Sequence, residues 1–369
     1  MSGASAAARP LARLREALRG LALPALEPAA RRSYRREMQA QVGLPVAFGL
    51  VEGGFVGVVA DKAFQAHPAL IALITAAPMF GNLSSVLWAR LAEGRRKVPL
   101  LTAIQAALVA LVLAMAALPR GPAGAPWLAA AVVAARLLIG GVVTLRSLVW
   151  TLNYPGPTRA RVTARLSVAA SLGIAGTSLL GGAWLDAEPG RFPLLYLGGA
   201  ALAAWGVALY ARIELRGEED RRAAPAGAEA GTRRMGALRA LRADPDYARY
   251  LGWQFLLGVS NMMVEAPLIV LVSRELGASY VVSSALTVAV PFGLGTLTMP
   301  LWAGYLDRVH VARFRTRHGW LWVASLLLTF AGAAAASLAW VAAGRAVLGV
   351  ARGGGILAWQ LGHNDFVGP

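Results

Sequence analysis

Six ionisable residues lie inside stretches that are otherwise apolar: Glu52, Arg136, Arg146, Glu265, Arg345 and Arg352. A charge in hydrocarbon costs about 3 kcal/mol or more, so each of these side chains must face a protein interior or an aqueous cavity and find a partner there. Counted from the ends of their apolar runs, Glu52 and Arg136 both lie roughly 13 Å deep at 1.5 Å per residue. The two can therefore meet, and the same holds for Glu265 and Arg345. A carboxylate beside a guanidinium is held ionised by the opposite charge, whereas desolvation alone favours its neutral form. Such a pair can exchange its partner for a proton or a solute; the competing reading is an ion pair that only ties helices together. Arg146, near the end of its run, can instead snorkel to the surface.

Other chemistry has little support. There is no cysteine, which removes disulfides, thiolate metal sites and thiol catalysis. The four histidines, at 67, 310, 318 and 363, have no metal-ligand spacing. No set of nucleophile, base and orienter occurs, and Gly353 to Gly355 are followed by no Lys-Ser/Thr, so a phosphate loop is excluded. Neither an enzyme, a metal nor a cofactor is expected.

The elements that must position the six charges are membrane spans. Residues 57% hydrophobic, only 15% charged and with a mean hydropathy of +0.55 make a chain too apolar for a soluble domain. Ten spans are expected, at about 39–61, 69–90, 98–118, 127–150, 164–185, 192–213, 249–273, 277–303, 319–336 and 339–361. The boundary near Ser337 rests on length alone, since no polar loop divides that run.

The net charge of +17 lies in short segments between apolar runs, which argues against a nucleic-acid partner and for an orientation signal. With the N-terminus inside, 28 Lys and Arg fall on the inner side and 4 on the outer. Residues 1–38, with eight arginines and no lysine, are expected to be a cytoplasmic tail, a mitochondrial targeting peptide being the alternative. Residues 39–213 make an N-terminal six-helix bundle, 214–248 a mixed-charge cytoplasmic linker and 249–369 a four-helix bundle. Asp244 and Pro245 provide a cap and a first-turn proline for the seventh helix.

The two bundles repeat one another. Gly81, Trp88, Ala89 and Glu93 recur as Gly295, Trp302, Ala303 and Asp307 at a spacing of 214, and Tyr34, Arg36 and Glu52 as Tyr247, Arg249 and Glu265 at 213. Arg136, Gly140 and Trp150 recur as Arg345, Gly349 and Trp359 at 209. A collinear series of this kind marks two homologous halves.

Gly94, Arg95, Arg96 and Lys97 after the second span resemble the end of the loop signature between helices two and three of the major facilitator superfamily of secondary transporters, and Gly304 to Arg308 is a weaker echo. The acidic residue expected three before the glycine is Leu91 here, with Glu93 displaced. Arg136 and Gly140 resemble that family's fourth-helix Arg-x-x-x-Gly pattern, whose arginine is associated with proton coupling, and Arg345 with Gly349 echoes it. Gly181 and Gly182 lack the preceding proline of its antiporter signature.

The resemblance implies an all-α polytopic membrane protein of two pseudo-symmetric helical bundles, six spans plus four. It implies a monomeric, multi-pass transporter of the inner membrane that moves a small-molecule substrate by alternating access, with proton coupling as one alternative. Glu52, Arg136, Glu265, Arg345 and Arg352 are the candidates for substrate or proton coupling; Glu93, Gly94, Arg95, Arg96, Asp307 and Arg308 are the candidates for a gating loop. A receptor or scaffold that kept the fold without transport, or an inactive shortened transporter, is the rival. Copies of spans five and six would fall from about residue 373 onward, so a chain shortened from twelve helices is expected.

Overall fold

A computed structural model describes residues 26–154, 156–215, 244–306 and 308–361, and among them only helices and turns occur. Most of the expected tail, the centre of the expected linker and Asp307 lie outside the described residues. The helices are α1 (Pro28–Leu50), α2 (Gly53–Lys62), α3 (Pro68–Ala92), α4 (Lys97–Met115), α5 (Ala125–Asn153), α6 (Gly156–Ala187) and α7 (Phe192–Tyr210). In the second half they are α8 (Pro245–Glu275), α9 (Tyr280–Leu306), α10 (Val311–Ala334) and α11 (Leu338–Leu361). Eight are long and apolar enough to cross a bilayer, and nine if α1 and α2 form one span bent by 46°. This is an all-α polytopic membrane protein.

The ninth expected span corresponds to α10, long enough at 24 residues but charged at its start by Arg313, Arg315 and Arg317. It is separated from α11 by Ala335 to Ser337, with Ala336 in the left-handed region at φ 47 and the Ser337 amide donating to Gly332. That backbone reversal supplies the turn that no polar loop announces. At the other margin, α1 begins at Pro28 rather than near residue 39, so its first turns carry Arg31, Arg32, Arg35 and Arg36, four of the eight arginines read as tail. Asp244 does cap α8, its carboxylate accepting from the amides of Asp246 and Tyr247 at 3.1 and 2.9 Å.

The expected first span is not continuous. Glu52 adopts an extended conformation (ψ 126) between α1 and α2, flanked by Gly49, Gly53 and Gly54, residues that hold a helix weakly. By contrast α11 runs unbroken through Gly353 to Gly355. There the glycines serve close packing, since a Cβ on Gly353 would lie 2.6 Å from the Gly295 carbonyl oxygen of α9.

The first half is built on one large core, with α1 packed on α6 and α7, α3 on α5, and α4 on α5 and α7, and a smaller cluster of Ala30, Tyr34, Tyr154, Val162 and Leu166 beside it. In the second half α11 packs on α9 and α10, and the core divides into smaller clusters. On α8, Leu256 and Met263 correspond to Gly43 and Leu50, which α1 buries on its neighbours; no described helix covers them. The halves meet through α6 on α9 and through α2 and α3 on α8. Gly54, Gly57 and Gly182 allow the approach, with a Cβ on each meeting the other half within 3 Å.

The repeat is visible in the packing. Ser84 Oγ and Trp88 Nε1 both donate to the Leu137 carbonyl, and Thr298 Oγ1 and Trp302 Nε1 both donate to that of Val350. Leu137 and Val350 are 213 apart, so the register of α11 on α9 differs by one turn from the spacing of 209 that pairs Arg136 with Arg345. By contact, Arg136 answers to Gly349 and Gly140 to Gly353. Glycines one turn apart on α11 present the same face, which is why the sequence permits either register.

Candidate functional site

The break at Glu52 exposes backbone that the helix would otherwise satisfy. Arg136 of α5 donates through Nη2 to the Val51 carbonyl at 2.8 Å and to Glu52 Oε2 at 2.7 Å. Both side chains are largely buried, at 9% exposed for Arg136 and 19% for Glu52. A guanidinium thus supports the bent helix and neutralises the carboxylate at the bend.

Arg345 does the corresponding work with other partners. Its Nε donates to the Leu286 carbonyl at 2.8 Å, and its Nη2 to Glu265 Oε1 at 3.0 Å and the Thr287 carbonyl at 3.3 Å. Leu286 and Thr287 belong to a π-helical turn, Ala285–Ala289, inside α9, where widened geometry leaves carbonyls available. The one-turn shift of α11 accounts for the difference: Arg136 caps the break beside its own glutamate, whereas Arg345 reaches the bulge of a different span.

Arg352 stands apart. Its guanidinium lies 4.0 Å from the centroid of the Phe292 ring, and among the described residues it has no ion pair or hydrogen bond; its Nε is buried and unsatisfied. Phe292 packs against the core cluster that runs from the first half into Ala266, Ile269 and Val288 of the second, which places Arg352 near the junction of the halves. Arg345, Arg352 and Trp359 are spaced by seven, so they share one face of α11. Trp359 helps line a cavity of about 310 Å³ whose opposite wall is Pro78, Asn82 and Ser85 of α3 with Arg136 and Ile139 of α5. In the contact register Ile139 is the counterpart of Arg352. A larger cavity of about 1030 Å³ opens between α8 and α10, lined by Trp253, His310 and Arg315, and contains none of the five candidates.

Arg146 is partly exposed, with a buried Nε. It stacks over the Trp150 ring at 4.8 Å, and Trp150 Nε1 donates to the fully buried Glu37 at 2.8 Å. Among the gating-loop candidates, Glu93 to Arg96 form the α3–α4 turn, in which Gly94 takes φ 66 and Lys97 Nζ donates to the Ala92 and Arg95 carbonyls. Arg308 is exposed after α9. These residues lie at the end of the molecule that carries Pro28, here called proximal, away from the buried pairs.

At the opposite, distal end the halves are joined by polar contacts that sequence reasoning missed. Asp61 at the end of α2 accepts from Ser273 Oγ at 2.5 Å and pairs with Arg274. Asp186 of α6 accepts from the amides of Tyr280 and Val281 at 2.6 and 2.8 Å, capping α9 from across the interface. Asp61 and Arg274 are themselves 213 apart. A residue that touches its own repeat mate lies on the pseudo-twofold axis, so opposite charges at a repeat spacing were the signal available.

The family model described as Major Facilitator Superfamily matches residues 44–368. The chain belongs to the Major Facilitator Superfamily. Among solved structures, the "D-xylose-proton symporter" has the same fold at a TM-score of 0.55 and 14% identity, covering 90% of this chain and 81% of that one. The "nucleoside transporter NupG" matches at a TM-score of 0.51 and 14% identity, covering 92% and 82%. No curated protein sequence matches. This superfamily member is accordingly a membrane transporter.

Proposed function

We propose that the chain moves a small solute by alternating access between its two bundles, using the cavity bounded by α3, α5 and α11. One observation carries this reading: each half contributes one buried Glu–Arg pair near the junction of the halves, while the closest contacts across that junction gather at the distal end. Buried charge facing a junction is poorly explained by packing alone, because apolar residues would hold the helices at lower cost. The charge bias supports a cytoplasmic proximal end, so the conformation described is closed to the outside. Opening the other way requires the Asp61 and Asp186 contacts to part. Glu52, at the bend, is positioned to gain a proton when its distance from Arg136 changes, which couples occupancy to conformation.

The absence of cysteine allows spin labels to be placed without background. Ala123→Cys with Ala335→Cys reports the distal end, and Arg95→Cys with Arg313→Cys the proximal end; all four residues are exposed. In proteoliposomes the two pairs should show exchanging distance populations that change in opposite directions. A single unchanging population at both ends, under every gradient applied, would refute alternating access and favour the scaffold.

A further inference from the structure

The charges buried near the junction of the halves do not cancel. Glu52 balances Arg136 and Glu265 balances Arg345, which leaves Arg352 as one guanidinium in excess. It lies within electrostatic reach of all four. The Phe292 ring offers a cation–π contact worth about 2 kcal/mol or more when desolvated. An uncompensated ion taken out of water costs several kcal/mol. Among the described residues no spare carboxylate pairs with Arg352, and the ring contact by itself falls short of that cost. Arg352, partly exposed at the junction of the halves, is thus left to draw a partner from a solute entering beside the cavity. Arg352 shares its helix face with the cavity wall Trp359, stands in the pseudo-symmetric place of the cavity wall Ile139, and has an unsatisfied buried Nε.

We propose that the transported solute is a small organic anion, whose carboxylate or equivalent group Arg352 binds while Phe292 and Trp359 flank its apolar body. The proposal rests on the alternating-access reading and adds to it the substrate class. A planar guanidinium forms two parallel hydrogen bonds with a carboxylate, which a neutral amide cannot match. The adjoining cavity walls Pro78, Ile139 and Val143 suit a hydrocarbon portion, and Asn82, Ser85 and Thr144 offer neutral hydrogen-bonding groups beside it.

The test uses the full chain in lipid nanodiscs, with intrinsic tryptophan fluorescence and thermal stability as readouts. The probes are benzoate, lactate and inorganic phosphate, with benzamide as the neutral match to benzoate. Benzoate is expected to bind at least tenfold more tightly than benzamide. Arg352→Gln should lose that preference and Arg352→Lys should keep part of it. Should Arg352→Gln fail to fold, the benzoate to benzamide ratio in the parent and in Arg352→Lys decides. Equal binding of benzoate and benzamide, no binding of any of the three anions, or an undiminished preference in Arg352→Gln would each overturn the assignment. If spin-label distances still exchange in that case, the transporter reading stands and only the substrate class is wrong; a single population removes both.

Discussion

Replacing Asp61 by Asn tests whether the distal contacts form a latch present in one conformation only. The Asp61 side chain is 3% exposed and that of Arg274 is 44% exposed. Breaking a fully buried pair costs about 3–5 kcal/mol, and a fully exposed one is worth about 1 kcal/mol or less. With one partner buried and the other half in solvent, a value near 2 kcal/mol follows, consistent with a hydrogen bond to a charged group. Asn keeps the volume and can still accept from Ser273, so the loss is mainly the charge. At 1.4 kcal/mol per factor of ten, 2 kcal/mol shifts a two-state equilibrium about 30-fold. A distal-open fraction of about 1% would then rise to roughly a quarter, well within reach of the Ala123 and Ala335 label pair. The charge exchange Asp61→Arg with Arg274→Asp should return the distribution toward that of the parent. If Asp61→Asn lowers Tm but leaves the distance distribution unchanged, the pair is made in every conformation and does not act as a latch.

Three further outcomes are expected. Glu52→Gln should abolish proton-driven accumulation while sparing exchange of substrate down its gradient, measured in proteoliposomes with and without a pH difference. Full accumulation by a well-folded Glu52→Gln protein would exclude the coupling role; Arg136→Met alone should cost about 3–5 kcal/mol through the unpaired carboxylate, and the double change should recover yield if the pair is structural. Gly140→Ala places a Cβ 2.2 Å from the Gly81 carbonyl oxygen; it should lower stability by about 1–3 kcal/mol, seen as a reduced Tm in detergent, and an unchanged Tm would contradict the α3–α5 packing. For orientation, Ala228→Cys should react with an impermeant thiol reagent only from the cytoplasm and Ala123→Cys only from outside. Ala123 is the suitable position, since a Cβ on its neighbour Gly124 would lie 1.8 Å from the Pro119 carbonyl oxygen.

Much of the architecture is legible along the chain, because a span needs only local information: about 20 apolar residues, a proline or cap at one end and charges beyond the other. The helices at Pro68–Ala92, Lys97–Met115 and Ala125–Asn153 follow from that rule within a few residues. Even the pairings of Glu52 with Arg136 and of Glu265 with Arg345 can be read from depth, since ionisable groups in an apolar run at similar depth have few alternatives. Whether those pairs couple transport to anything is a separate matter, which depth does not address.

What the sequence by itself determined, then, is everything that depends on hydrophobic length, on charge between runs and on self-similarity. The tertiary structure decided what depends on register and on contact across the halves. Hydrophobicity is the same on either side of a one-turn slip, so the slip that gives Arg136 a helix break and Arg345 a π-turn is fixed only by glycine contacts between α3 and α5 and between α9 and α11. The excess of Arg352 emerges only once both glutamates are seen to be taken. Asp61 and Asp186 lie at span ends, where polar residues are unremarked in a sequence. Their roles follow from partners about 213 and 94 residues away, brought to them by the packing of one half against the other.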